Sequence, residues 1–260
     1  LPIYETHKAG KSTELSKIIE SIRTPHKFGF TGTLPEAPMD RWNVIGKIGP
    51  VLMRKSSHDL RKEQHLTQVE VRVFNIKYKT QLPAAIKDEP TQAYRQELEF
   101  IYANAFRNRV ISTICSNFNN NVLVLVNHIQ HGEALTQVLQ SIPNKQVFFI
   151  RGEVEVEDRD RVKHIMENNS NVVCVAISSI FSTGVNIKNI HMIVFAAGGK
   201  SFIRTVQSIG RGLRLHESKD RLIIVDIADA LTYGIKHATK RQQIYRNEQI
   251  NFSTHNVTEK

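Results

Sequence analysis

The chain has 260 residues, room for one large domain or two small ones, and either size can bury a proper core. Its 35 Lys and Arg outnumber 25 Asp and Glu, giving +10 at pH 7 and a pI near 9.6, a balance that suits a polyanionic partner through phosphate contacts and counterion release. The apolar runs are too short to span a bilayer, no basic segment leads into an apolar one at the amino terminus, and Cys115 and Cys174 lack the spacing of a zinc site or a disulfide framework. A cytoplasmic globular protein without membrane or metal attachment is expected, with both thiols in the core.

In chain order, the sequence opens at Leu1 without a methionine and runs almost at once into Glu5-Thr6-His7, so it is expected to be a fragment. Ala9-Gly10-Lys11-Ser12 has the ending of a phosphate-binding loop, but Glu5 occupies the position of the first glycine and no complete strand precedes it. A carboxylate there would repel phosphate, so Gly10 is read as part of a loop entering a helix from Glu14 to Ile22, whose Leu15, Ile18, Ile19 and Ile22 share one face. No other candidate phosphate loop occurs. Phe28-Gly29-Phe30 predicts a short strand ending in Thr31-Gly32-Thr33, followed by a short helix around Trp42 to Ile45 and a segment from Ile48 to Met53. Arg54 to His65 reads as a polar connector, Val69, Val71, Val73 and Ile76 as a strand crossing between domains, and the Pro83 to Pro90 stretch as a loop or hinge.

From Gln92 the pattern predicts helix, strand, helix, strand, helix, strand, strand, helix, strand, with apolar runs at Val122 to Val126, Val147 to Ile150, Val172 to Ile177, Met192 to Phe195 and Leu222 to Val225. Continuous Val and Ile runs between helical patterns predict an α/β fold, a parallel sheet with helices on both faces. Ligands of such sheets gather beyond the carboxyl ends of the strands. Asn127-His128, Arg151-Gly152-Glu153, Ser178 to Asn186 and Gly198-Gly199-Lys200 would all lie there. His128, His131 and His164 lack convincing metal spacing, and Ala238 to Ile250, with Lys240, Arg241 and Arg246, reads as a basic helical tail with a solvated face.

The most specific signal is Gln207-Ser208-Ile209-Gly210-Arg211-Gly212-Leu213-Arg214, downstream of Phe181-Ser182-Thr183-Gly184-Val185-Asn186. Residues three apart share a helix face, so Arg211 and Arg214 can aim two planar, permanently charged forks at one anion. Together with Glu5-Thr6-His7, Thr31-Gly32-Thr33 and Gly152-Glu153-Val154, this order resembles the carboxyl-terminal half of superfamily 2 helicases, and within them the UvsW-type phage helicases.

The resemblance implies a RecA-like second helicase domain at 92–232, the remnant of a first RecA-like domain at 1–53, a connector with a strand at 54–91 and a basic helical tail at 233–260. It further implies an ATP- and Mg²⁺-dependent DNA motor acting on branched DNA and RNA–DNA hybrid loops, in the host cytoplasm if phage-encoded. Arg211 and Arg214 would contact the γ-phosphate, with Gln207 and Gly210 shaping the same network, Gly184 and Asn186 near the nucleotide, and Glu5 as the remnant of an Asp-Glu-x-His box whose aspartate position holds Tyr4. Thr31, Gly32, Thr33, Gly152 and Thr183 would couple hydrolysis to the nucleic acid. Without a phosphate loop, the chain alone is expected to need a missing amino-terminal RecA-like domain for catalysis. The alternatives are a stand-alone nucleic-acid-binding module without ATPase activity and the motor subunit of a restriction enzyme.

Overall fold

Parallel strands are stable with both faces covered, a condition that the two parts of the chain meet to different degrees. The computed structural model describes residues 1–11, 13–32, 34–35, 37–63, 67–79, 90–151, 156–178, 189–199 and 221–260, divided into two units, Leu1–Lys55 and Ser56–Lys260.

The first unit contains β1 (Pro2–Tyr4), a 3-10 turn (Thr6–Gly10), α1 (Thr13–Ser21), β2 (Phe28–Phe30) and α2 (Pro38–Ile48). The two strands pair in parallel, Pro2 opposite Phe28 and Tyr4 opposite Phe30. Ile19 and Val44 are buried, and the Ser16 hydroxyl donates to the Ala9 carbonyl at 3.0 Å. A Cβ at Gly10 would stand 2.6 Å from the Asp40 carbonyl, and Asn43 Nδ2 donates to the Gly10 carbonyl at 3.2 Å. The glycine of Gly10-Lys11-Ser12 is therefore needed for close approach of α2.

The second unit runs α3 (Ser57–Lys62), β3 (Gln68–Lys77), α4 (Pro90–Ala103), α5 (Ala105–Ser116), β4 (Val122–Val126), α6 (Ile129–Gln140), β5 (Gln146–Ile150), α7 (Val156–Asn168), β6 (Val172–Ile177), β7 (Met192–Phe195), β8 (Arg221–Asp229), α8 (Thr232–Asn247) and β9 (Asn251–Thr258). Seven strands form one sheet in the order β5-β6-β4-β7-β8-β3-β9, every pair parallel. Side chains alternate between two cores. Leu123, Leu125, Cys174, Phe195 and Ile224 pack with Met166, Ala238 and Tyr245 of α7 and α8. Val122, Val124, Val126, Val173, Val194 and Val225 pack with Ile111, Cys115, Leu135 and Leu139 of α5 and α6. Burial pushes both thiols up to about 12.

The parallel sheet with helices on both faces is as the sequence predicts, and three details differ. The strand expected in the connector at 54–91 does not cross between domains: β3 lies inside the sheet, flanked by β8 and β9, because Val71, Val73 and Ile76 find full burial there. Within the same connector, Ser56 and Asp59 form a reciprocal capping box that starts α3. The segment at 233–260 is no solvated tail. Its His237, Ala238, Arg241 and Tyr245 recur at helical spacing on a buried face, and β9, which has only two partly buried side chains and no apolar alternation strong enough to announce it, closes the sheet edge.

Gly234, in the first turn of α8, is a sensitive point. A Cβ there would stand 2.3 Å from the Asp229 carbonyl, which is backbone and cannot swing away. Gly234→Ala is expected to lower stability by about 1–3 kcal/mol. Gly46→Ala, with nothing within 4 Å, should instead gain about 0.5–1 kcal/mol from helix propensity. Urea midpoints of the two variants test the contrast.

Candidate functional site

In the first unit, parallel pairing brings the ends of β1 and β2 side by side, so Glu5 and Thr31 leave neighbouring strands together. Glu5 takes a left-handed backbone conformation, φ 54°, that turns the chain sharply into the 3-10 turn. His7 joins the two ends: its Nδ1 is 2.9 Å from Thr31 Oγ1 and 3.2 Å from a Glu5 carboxylate oxygen. The Thr6 hydroxyl also reaches the Phe30 carbonyl. Gly32 follows, exposed, while the Tyr4 ring stacks on Phe30 with centroids 5.5 Å apart. A carboxylate, an imidazole and a hydroxyl in one chain of contacts can pass a change at Glu5 to the backbone after β2.

In the second unit, the carboxyl edge of the sheet is organised by two buried aspartates of β8. Asp229 accepts from Arg107 Nε at 2.8 Å and Nη2 at 3.2 Å, and from the Tyr78 hydroxyl. Asp226 accepts from Arg241 Nε at 3.0 Å and from the Tyr245 hydroxyl at 2.9 Å, with Arg241 Nη2 at 2.8 Å. Burial alone would lower the pKa of both guanidinium groups, but the paired carboxylates more than offset it and their pKa values rise. Burial first, and the neighbouring aspartate second, hold both phenols protonated. Arg107 Nη1 approaches His131 Nε2 at 3.3 Å, His131 stacks on Tyr102 with centroids 4.4 Å apart, and Nδ1 of His131 is buried without a hydrogen-bond partner among the described residues. Desolvation, then Arg107 and His128, push the His131 pKa well below the usual range.

Of the residues singled out from sequence, the structure brings together Glu5 and Thr31 and places Gly32 next to them. Thr33, Gly152, Thr183, Gly184, Asn186, Gln207, Gly210, Arg211 and Arg214 lie outside the described residues. The described residues do not by themselves compose a nucleotide site: Gly10 is packed against Asp40, and no three His, Cys, Asp or Glu side chains among them converge to hold a metal ion.

Residues 106–216 match the family of helicase conserved C-terminal domains. Over that stretch the chain is similar to helicase C-terminal domains. It is similar to the ATP-dependent DNA helicase UvsW of Enterobacteria phage T4, 29% identical over 269 residues that span 95% of this chain and 52% of that protein. The crystal structure of T4 UvsW superimposes with a TM-score of 0.61 at 28% identity, covering 99% of this chain and 53% of that one. The resemblance to the carboxyl-terminal half of a UvsW-type helicase therefore extends along the chain, which spans about half the length of that relative. Saccharomyces cerevisiae Dbp5 bound to RNA and ADP BeF3 aligns with a TM-score of 0.62 at 12% identity over 98% of this chain and 59% of that one. A type ISP restriction-modification enzyme, LlaBIII bound to DNA, aligns at 0.63 and 13% over 99% of this chain and 22% of that one. These two show the fold alone, and it is RecA-like.

Sequence reasoning missed the polar framework of both units: His7 as the link to Thr31 in the first, and Arg107, Asp226, Asp229 and Arg241 beneath the carboxyl edge in the second. A signal existed. Asp226 and Asp229 interrupt an apolar strand, and buried carboxylates require cationic partners. Arg241 sits on the same helical stripe as Ala238 and Tyr245.

The His131 environment fixes a pH dependence. Its folded pKa lies below the unfolded value near 6.5, so the unfolded chain takes up the proton first and stability falls as pH drops below about 6.5. His131→Phe, which can still stack on Tyr102, should flatten the decline of the urea midpoint between about pH 6.5 and 5. An unchanged slope would show that His131 does not carry it.

Proposed function

We propose that this chain is the carboxyl-terminal part of an ATP-dependent superfamily 2 DNA helicase or translocase that remodels branched DNA such as forks and junctions, and RNA–DNA hybrid loops. The observation that carries the reading is the segment Gln207 to Arg214, which in chain order connects the carboxyl end of β7 to β8, in a domain whose similarity to a DNA helicase runs through 95% of the chain. Ligands of parallel sheets sit at that end. Arg211 and Arg214 would contact the γ-phosphate of an ATP held by the phosphate loop of another RecA-like domain, with Gln207 and Gly210 shaping the contact and Gly184 and Asn186 near the nucleotide. Glu5 would act on the Mg²⁺ side, although the neighbouring Tyr4 is a poor ligand for that ion. Thr183 and Gly152 would meet the nucleic-acid backbone, and Thr31, Gly32 and Thr33, joined to Glu5 through His7, would couple the two events.

The first unit supports the need for a partner. A two-stranded parallel sheet is not a stable unit by itself. Here Tyr4, Phe28 and Phe30 are 71%, 49% and 51% exposed, and Trp42 and Met39 of α2 are 68% and 71% exposed. That apolar surface fits further strands and helices of a first RecA-like domain, supplied by the rest of a longer protein.

Two measurements test the proposal. The 260-residue chain alone should show negligible DNA-stimulated ATP turnover, and robust turnover from pure material would overturn the division of labour. In the protein that joins this chain to a phosphate-loop domain, Arg214→Ala should lower turnover by a factor on the order of 10³ while DNA affinity stays within about two-fold. Undiminished turnover would remove the arginine from the site.

A further inference from the structure

The backbone leaving β7 is held at three carbonyls by side chains from two helices. Arg107 Nη2 donates to the Ala196 carbonyl at 2.8 Å, His237 Nδ1 lies 3.2 Å from the Gly198 carbonyl, and Arg241 Nη1 donates to the Gly199 carbonyl at 3.2 Å. A carbonyl only accepts, so the His237 proton in that contact sits on Nδ1. All three side chains are at least nine-tenths buried, Arg107 at 0%, His237 at 6% and Arg241 at 1% exposure. Both arginines are fixed in turn on β8, through Asp229 and Asp226.

The helix that brings His237 and Arg241 is itself pinned. Glu97 of α4 accepts from the backbone N–H of Tyr233 at 2.9 Å and of Gly234 at 3.1 Å, covering the open amide end of α8 with a carboxylate. Gly198 takes φ 69°, the left-handed region that suits glycine, with Ile101 3.3 Å from where its Cβ would be. The path from Ala196 to Gly199 is thus specified by α4, α5, α8 and β8 together.

Two buried ion pairs are a costly way to hold a fold together, since apolar side chains of equal volume often stabilise as well or better. They are well suited to another task. A guanidinium fork satisfied by a carboxylate on one side still has N–H groups left to fix a backbone carbonyl on the other. Gly199 precedes Gln207 by eight residues in the sequence and Arg211 by twelve.

We infer that Arg107, His237 and Arg241 are positioning residues that fix the backbone exit of β7 through the carbonyls of Ala196, Gly198 and Gly199, and so set where the segment carrying Arg211 and Arg214 begins. The importance of that segment rests on the proposed function, whereas the positioning itself does not.

Amide hydrogen exchange on the 260-residue chain tests it without nucleotide. Arg241→Lys keeps a cation beside Asp226 but gives up the fork that reaches Gly199. A triple variant, Arg241→Met with Asp226→Leu and Tyr245→Phe, replaces the whole buried cluster by apolar groups. Peptides covering 196–214 should exchange on the order of ten-fold faster in both variants, with those from β4 and β6 unchanged. The thermal midpoint of the triple variant should remain within about 4 °C of the parent. Unchanged exchange over 196–214 would overturn the inference, and so would acceleration spread evenly through the sheet, the mark of a merely structural role. Because no ATP is involved, this result stands apart from that of Arg214→Ala.

Discussion

Asp226 and Asp229 set the terms for the carboxyl edge of the sheet. Both are carboxylates taken almost wholly out of water on the same strand, and a buried charge left alone would unfold its surroundings or take up a proton. Each instead meets an arginine from a helix: Asp229 meets Arg107 of α5, and Asp226 meets Arg241 of α8. Apolar burial can attract a helix to a sheet, but it tolerates sliding and rotation. A two-pronged ion pair does not. The cores on both faces supply the favourable free energy of burial, and the charges choose one arrangement among those that burial would accept. The phenols of Tyr78 and Tyr245 occupy remaining acceptor positions on the same carboxylates, as low-dielectric surroundings demand.

That rigid edge contrasts with the first unit, where three polar side chains run from Glu5 through His7 to Thr31 across the ends of two short strands. Little apolar surface is covered there: Tyr4, Phe28 and Phe30 remain about half or more exposed. One unit has a core of its own, and the other has the chemistry of a junction.

The parallel sheet was legible because buried parallel strands announce themselves. Val122 to Val126 is five apolar residues with no exposed face, and Met192 to Phe195 is four more. The candidate motifs were legible as residue types in order, and Glu5 and Thr31 are joined through His7. Two kinds of feature escaped. β9 alternates too weakly, with Phe252 and Val257 the sole large apolar residues in an otherwise polar strand, so only pairing with β3 makes it a strand. Arg241 read as part of a solvated basic face and Arg107 drew no reading, because a sequence does not say which carboxylate will be carried beneath which helix. That pairing depends on the fold, and becomes visible once β8 is laid against β3 and β7.

The position of β3 bears on how the sheet is assembled. It is the first strand of the second unit to be synthesised, yet both of its neighbours, β8 and β9, are the last. Val71 must wait for Ile224 and Phe252, more than 150 residues further along, before its strand is paired on either side. The central strands can zip locally as they emerge, but Gln68 to Lys77, with its apolar face, keeps both edges open until β8 and β9 are made. Loop closure over that distance is slow, and an unpaired apolar strand is an invitation to mispairing. During synthesis this strand therefore waits for its partners until β8 and β9 have emerged.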